Sequence, residues 1–255
     1  APLVNKKNHR HSVWNKKLAK LNFYDAIIIH SYAKVTKGND RYGQMISEEN
    51  EGESMKEAFG IYKNRAIDYL VNQYPKEANA YEGIFNKPIW VTEWNLQISK
   101  TTGNTLLQSL FVAQYFLELM SNPALSVIEL TTYHNLGGRD YGGSIFRNNK
   151  GKMETQSTYY PLKMIGKIFE KNNVVKIVKK RYGEKFIYRC YNKDQINVIT
   201  FSLDWRALEL VYSDNLSNDK FNFIGVSFSS KNLYDIADKQ GVLELDTIVE
   251  VNLDE

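Results

Sequence analysis

One nonapeptide, Lys87-Pro88-Ile89-Trp90-Val91-Thr92-Glu93-Trp94-Asn95, constrains this chain more than any other stretch, because it is a β-rich run that stops at a carboxylate. β-Branched and aromatic residues suit a pleated segment. Strict alternation then puts Ile89, Val91 and Glu93 on one face and Trp90, Thr92 and Trp94 on the other. A carboxylate is costly to bury where an apolar strand face runs out. In a barrel of parallel strands, side chains at the carboxyl ends line the active-site mouth, which makes Glu93 a candidate catalytic group. A helix cap or a surface carboxylate after an edge strand would use the same residues, and one short motif does not separate these readings.

The pattern recurs. Residues 24–32 (YDAIIIHSY) and 124–135 (ALSVIELTTYHN) are two further apolar runs that end in polar groups, with helical patterns between them. Strand and helix therefore alternate, as in βα units around a parallel sheet. On the first of these runs Ala26, Ile28, His30 and Tyr32 share one face and Ile27, Ile29 and Ser31 the other. Both faces stay apolar until the end, as in a strand covered on both sides. His30 and Tyr32 are thus rim candidates, and Tyr133 and His134 occupy the equivalent place on the third run.

With these residues in view, residues 1–171 resemble the carboxyl-terminal half of a (β/α)8 barrel of the large clan of retaining glycoside hydrolases. The likeness is greatest to its α-L-arabinofuranosidase, β-xylosidase and agarase-type branches. KPIWVTEWN is similar to the seventh strand of that family, which carries its nucleophile, and IIIHSY to the sixth. The resemblance implies Glu93 as nucleophile, with His30 and Tyr32 orienting it or contacting sugar. Trp94, Asn95, Tyr133 and His134 complete the expected substrate-binding set. Retaining enzymes need two carboxyl groups about 5 to 5.5 Å apart, inverting ones about 6.5 to 9.5 Å. Glu129, on the face of Val127, Thr131 and Tyr133, lies deep in its strand and is expected to be a hydrogen-bonded structural group in the barrel lumen, not the acid. In the family the acid lies on the fourth strand, for which the chain offers no candidate.

At 255 residues the chain can hold one large or two ordinary domains with a real core. A formal charge of +4 with dispersed cations argues against nucleic acid as a partner. The one cluster, Lys176, Lys179, Lys180 and Arg181, reads as a solvated strand and turn, with nucleic acid or an anionic polysaccharide as the functional alternatives. Cys190 is the only cysteine, which excludes an internal disulfide and a cysteine metal site. No apolar run has the length of a membrane span. The first residue is Ala1, not Met, so an upstream segment is expected to have been removed by processing or proteolysis.

His9 and His11 could ligate a metal but have no third ligand in sight, so no metal and no cofactor is expected. Val13, Trp14, Leu18 and Leu21 fit a short amphipathic helix. A polar loop follows, with a turn at 37–40 and the acidic run Glu48, Glu49, Glu51 and Glu53. A helix through Ile61, Tyr62, Ala66, Tyr69 and Leu70 should end before Pro75. The run Leu106–Met120 is the strongest helix, apolar enough around its girth to lie buried between a sheet and other helices. The glycine-rich stretch 136–151 matches no nucleotide fingerprint and reads as a loop over the site, with Arg139, Asp140 and Tyr141 as possible ligand contacts. Tyr159, Leu162, Ile165, Ile168 and Phe169 form the last helix.

From Asn172 onward the texture changes to alternating short strands at 174–178, 185–191, 196–203, 207–212, 221–229 and 243–253, the spacing of an antiparallel β-sandwich. Asn215-Leu216-Ser217 is a glycosylation sequon. The fold class expected is α/β: the carboxyl-terminal portion of a (β/α)8 TIM barrel over 1–171, followed by an all-β sandwich over 172–255. Expected partners are a carbohydrate substrate and an amino-terminal barrel half from the same gene or a second chain, and the expected location is extracellular or periplasmic. The rival from another class is a non-catalytic carbohydrate-binding or scaffold protein on the same fold.

Overall fold

The computed structural model describes residues 3, 9–21, 23–35, 55–97, 102–138, 143–214 and 222–224. Outside them lie the turn at 37–40, the acidic run, Arg139, Asp140 and Tyr141, the sequon, the strand at 243–253 and most of that at 221–229.

Three parallel strands, β1 (Ile27–Ala33), β2 (Ile89–Leu96) and β3 (Ile128–Tyr133), form a sheet in that order. Helix α1 (Arg10–Leu18) precedes β1, and helices fill both crossovers. Between β1 and β2 run α2 (Met55–Asp68), a π-helical stretch (Tyr69–Gln73) and α3 (Tyr74–Phe85). Pro75 therefore does not end the helix as expected. It enters at the first turn of α3, after the backbone has widened so that Tyr74 N–H donates to the carbonyl of Tyr69. A wider turn there accommodates a residue that lacks its own N–H. Helix α4 (Leu106–Ser121) joins β2 to β3 and is capped by Thr105, whose hydroxyl accepts from Gln108 N–H.

After β3 come a short parallel pair, β4 (Gly137–Gly138) with β5 (Phe146–Asn149), and β6 (Lys152–Thr155) antiparallel to β5. Helix α5 (Tyr159–Asn172) then leads into a five-stranded antiparallel meander: β7 (Lys176–Tyr182), β8 (Lys185–Tyr191), β9 (Asn197–Asp204), β10 (Glu209–Asp214) and β11 (Asn222–Ile224). The chain is thus a barrel-type parallel portion followed by an all-β portion, as the sequence led us to expect.

Helix α4 is buried nearly all round because it lies between the two sheets. Trp94 of β2 stacks on Tyr115 at 4.0 Å. On the other side the indole of Trp205 donates to Gln114, Tyr188 donates to Glu118 at 2.8 Å, and Lys179 pairs with the second oxygen of Glu118 at 2.6 Å. Cys190 is buried in the inner face of the meander, where burial pushes its thiol up to about 12.

Among the described residues, helices cover only one face of the parallel sheet. Ile27, Ile29, Ile89 and Val91 are buried under them. The open face carries Ile28, Trp90 and Leu130, which are register partners straight across the three strands and remain 61%, 39% and 43% exposed. Ile89 and Val91, which strict alternation groups with Glu93, sit on the helix side and Trp90 on the other. Helix α1 also departs from its pattern, because Asn15 is buried while Val13, Trp14 and Leu21 stay exposed, no described element covering that side.

Parallel sheets are ordinarily covered on both faces, and β1 and β3 each present an outer edge. Leaving three large apolar side chains wet costs on the order of 5 kcal/mol, a sizeable part of an ordinary domain's stability. Residues 1–255 alone are expected to bind a hydrophobic dye and to self-associate as concentration rises, and Ile28→Lys with Leu130→Lys should reduce both. A dye-excluding monomer in size-exclusion chromatography would show that this face is already covered.

Candidate functional site

At the carboxyl end of β2 the alternation breaks. Ile29 pairs with Val91, but His30 pairs with Glu93, so Thr92 is an extra residue on β2. A bulge of this kind shifts every later side chain by one face. Glu93 therefore joins Trp90 on the open face, and Trp94 turns into the helix-covered layer, which corrects the faces read from strict alternation. Bulges re-aim single side chains at strand ends, and no propensity signal marks this one in the sequence.

On the open face β1 brings two partners to Glu93. Tyr32 hydroxyl donates to its Oε2 at 2.8 Å, and His30 Nδ1 lies 3.4 Å from the same oxygen. Both meet Oε2, so Oε1 accepts no hydrogen bond among the described residues. The carboxylate is half-exposed, as is His30. From β3, His134 sets its ring edge-on to Tyr32, centroids 6.2 Å apart. Glu93, His30, Tyr32 and His134 are thus assembled in one place, from the ends of all three strands.

The other expected contacts lie elsewhere. Trp94 is 2% exposed, stacked on Tyr115 and edge-on to Tyr133. Asn95 is fully buried, and its carboxamide is spent on the protein: Nδ2 reaches the carbonyls of His134 at 2.6 Å and Gly143 at 2.9 Å and the Tyr133 hydroxyl at 3.1 Å, while Oδ1 accepts from Leu96 N–H and from Gln108. Tyr133 donates to Gly143 carbonyl, and burial pushes its hydroxyl up to about 12, so it stays a neutral donor. Trp94, Asn95 and Tyr133 therefore hold the site from behind and are not placed to meet a ligand on the open face. The sequence reading missed the layer around them: Gln108 on α4, and Ser144, Gln156, Ser157 and Thr158 from the chain after β3, all buried. Its one visible signal is the run of small and amide residues at 156–158 before α5.

Glu129 also departs from expectation. It is exposed on the open sheet, with one long contact from the Trp90 indole at 3.4 Å, instead of enclosed in a lumen. A second bulge, between the pairs Ile89–Ile128 and Trp90–Leu130, displaces it. Glu93 stands level with Thr132, between the paired positions Val91–Thr131 and Trp94–Tyr133. Three residues of strand rise separate it from Glu129, roughly 10 Å, beyond the spacing of a retaining pair.

In fold the chain is similar to family 51 arabinofuranosidases. The GH51 arabinofuranosidase from Xanthomonas axonopodis pv. citri matches with a TM-score of 0.47 at 10% identity, over 79% of this chain and 41% of that one. AbfB, a family 51 α-L-arabinofuranosidase from Bifidobacterium longum, matches at 0.42 and 10% identity, over 79% and 43%. The thermostable GH51 α-L-arabinofuranosidase from Thermotoga petrophila RKU-1 matches at 0.41 and 12% identity, over 81% and 42%. The chain spans about two-fifths of the length of each. No protein-family model and no curated protein matches the sequence.

No described helix is long and apolar enough to cross a membrane. Among the described residues no group of three or more His, Cys, Asp or Glu side chains is gathered as metal ligands. His9 instead caps α1, its ring nitrogen accepting from His11 N–H at 3.3 Å.

The carboxamide of Asn95 satisfies several buried groups at once, so truncating it strands them. Asn95→Ala is expected to lower the free energy of unfolding by about 2 to 4 kcal/mol, while Asn95→Asp should also destabilise because it brings a charge to two carbonyls. Chemical denaturation of both variants beside the parent measures this, and a change within about 0.5 kcal/mol for Asn95→Ala would remove the residue from its supporting role.

Proposed function

We propose that this chain is the carboxyl-terminal part of a retaining glycoside hydrolase acting on an oligosaccharide or polysaccharide, with Glu93 as nucleophile. The observation that carries the reading is the state of that half-exposed carboxylate at its strand end: Oε2 accepts from Tyr32 with His30 Nδ1 3.4 Å away, and Oε1 accepts no hydrogen bond among the described residues. Attack by Oε1 on an anomeric carbon would break the glycosidic bond and form a covalent glycosyl-enzyme. A second carboxyl group would protonate the leaving oxygen and then take a proton from the water that releases the sugar. The Tyr32 hydrogen bond fixes the attacking geometry and draws charge onto Oε2, and His30 and His134 supply donors or acceptors to sugar hydroxyls beside it.

The acid/base group is assigned to a further barrel segment, from the same gene or a second chain, since Glu129 lies too far down the sheet. The same segment would pair with the edges of β1 and β3 and cover the row of Ile28, Trp90 and Leu130. A polymeric substrate too large to import puts this work outside the cell or in the periplasm. The isolation of Glu93 from any second carboxylate among the described strands also favours one alternative, a non-catalytic carbohydrate-binding or scaffold protein on the same fold.

In the complete protein, Glu93→Gln keeps the shape of the nucleophile and removes its charge. Turnover of an activated aryl glycoside is expected to fall by orders of magnitude while sugar binding persists. Unchanged turnover would sink the nucleophile assignment, and a parent protein that binds sugar without turning it over would establish the binding reading. Prolonged chelation should leave turnover unaltered. Loss on chelation with recovery on added zinc would contradict the two-carboxylate mechanism.

A further inference from the structure

The cations of the cluster at 176–181 are sorted by the meander in a way the sequence does not display. Alternation sends Lys179 inward to Glu118 and lays Arg181 over the ring of the buried Phe186, 5.2 Å from its centroid. Lys176 and Lys180 go to the outer face of β7, and the exposed Arg189 of β8 comes up between them, opposite Val178 and diagonal to both. Diagonal neighbours across an antiparallel pair lie about 7 to 8 Å apart. Three cations thus form a row about 13 Å long, four residues of strand rise.

Around the row the cross-strand neighbours are Val178, Ile187, Tyr191 and Thr200, none of them acidic. Neither Lys176, Lys180 nor Arg189 is ion-paired among the described residues. The outer-face carboxylates Asp204 and Glu209 are gathered at the far corner, opposite Lys185 and each other. Lysines on β7 alone would be accounted for as guards of an edge strand. Arg189 is on β8, which is paired on both sides and has no edge to guard. Like charges set this close repel one another, and an anion bound between them removes that cost.

We propose that this outer sheet face binds an acidic polysaccharide, its carboxylates lying along Lys176, Arg189 and Lys180 with Tyr191 beside the chain. A single short row of cations with carboxylates at the corner of the sheet suits one thin uronate-bearing chain better than a nucleic-acid duplex, whose recognition takes a broad basic surface. The inference does not rest on the role of Glu93, since it concerns binding at a separate surface.

The test is native affinity electrophoresis of the full chain in gels cast with polygalacturonate, with neutral arabinan or without polymer, mobilities being taken relative to the polymer-free gel. Polygalacturonate is expected to retard the parent and neutral arabinan not to, with the retardation fading as added salt shortens electrostatic range. Lys180→Glu with Arg189→Glu should weaken apparent affinity about tenfold, with unchanged intrinsic fluorescence. A Lys179→Gln control, on the inner face, should bind as the parent does. No retardation by polygalacturonate, or retardation that survives the double reversal, would overturn the proposal. Equal retardation by duplex DNA would overturn the assignment to polysaccharide.

Discussion

The buried carboxamide of Asn95 is the interaction on which the rest of the site depends. One planar group holds the end of β2 to the carbonyl of His134 after β3, to Gly143 in the following segment and to Gln108 in the first turn of α4. Neither a carboxylate nor an alkyl side chain could do this, because the position needs donors on one side and an acceptor on the other. Fixing those four segments sets the height at which β2 and β3 end. Glu93 and His134, two positions earlier on β2 and at the end of β3, inherit their places from it.

The two faces of the parallel sheet divide the work. On the covered face an aromatic stack runs from Tyr69 through Tyr74 and Tyr115 to Trp94, with ring centroids 5.8, 4.9 and 4.0 Å apart in turn. Ser31 Oγ meets the Tyr69 hydroxyl at 2.7 Å, which ties β1 to the π-helical stretch. Each such ring pair adds about 0.5 to 1.5 kcal/mol beyond the area it buries. That rigidity stands directly behind Glu93, since Trp94 is both its chain neighbour and the end of the stack. A carboxylate that must stay aimed gains from a neighbour that cannot move.

Much of this was legible in the sequence, and the misses share a cause. Three apolar runs ending in polar residues were enough to give a parallel sheet with Glu93, His30 and Tyr32 at one rim, because those features rest on composition and order. The face of each residue beyond Thr92 was not, because a bulge changes parity without changing any residue type. Trp94 and Asn95 were expected at a ligand as neighbours of Glu93 in the resembled motif, although an aromatic ring and an amide serve equally well in a buried supporting layer. Glu129 was displaced by the same device on β3. Pro75 was misjudged differently: the rule that proline ends a helix assumes an α-helical turn before it, and here the turn is wider. Helix α4 was read correctly, since burial on all sides shows as apolar width, while the partners of Gln114 and Glu118 come from the meander more than sixty residues on: Trp205 in the turn after β9, Lys179 on β7 and Tyr188 on β8.

The open face and the carboxylate at its rim are one problem seen at two heights of the same sheet. Low on it, Ile28, Trp90 and Leu130 form an apolar row with no layer above them among the described residues. High on it, Glu93 accepts from Tyr32 beside His30, and Glu129, the other carboxylate of the described parallel strands on this face, stands lower. The β1–β2 register puts Glu93 beside His30, and the β2–β3 register leaves Glu129 three residues of strand rise, roughly 10 Å, below it. Parallel strands added at the edges of β1 and β3 would curve over this face, bury the apolar row and bring their own carboxyl ends to the rim where Glu93 stands. On the proposed reading, folding and chemistry ask for the same complement. On the hydrolase reading, a segment that restores stability without placing a carboxyl about 5 Å from Glu93 would leave a sound barrel and an idle nucleophile.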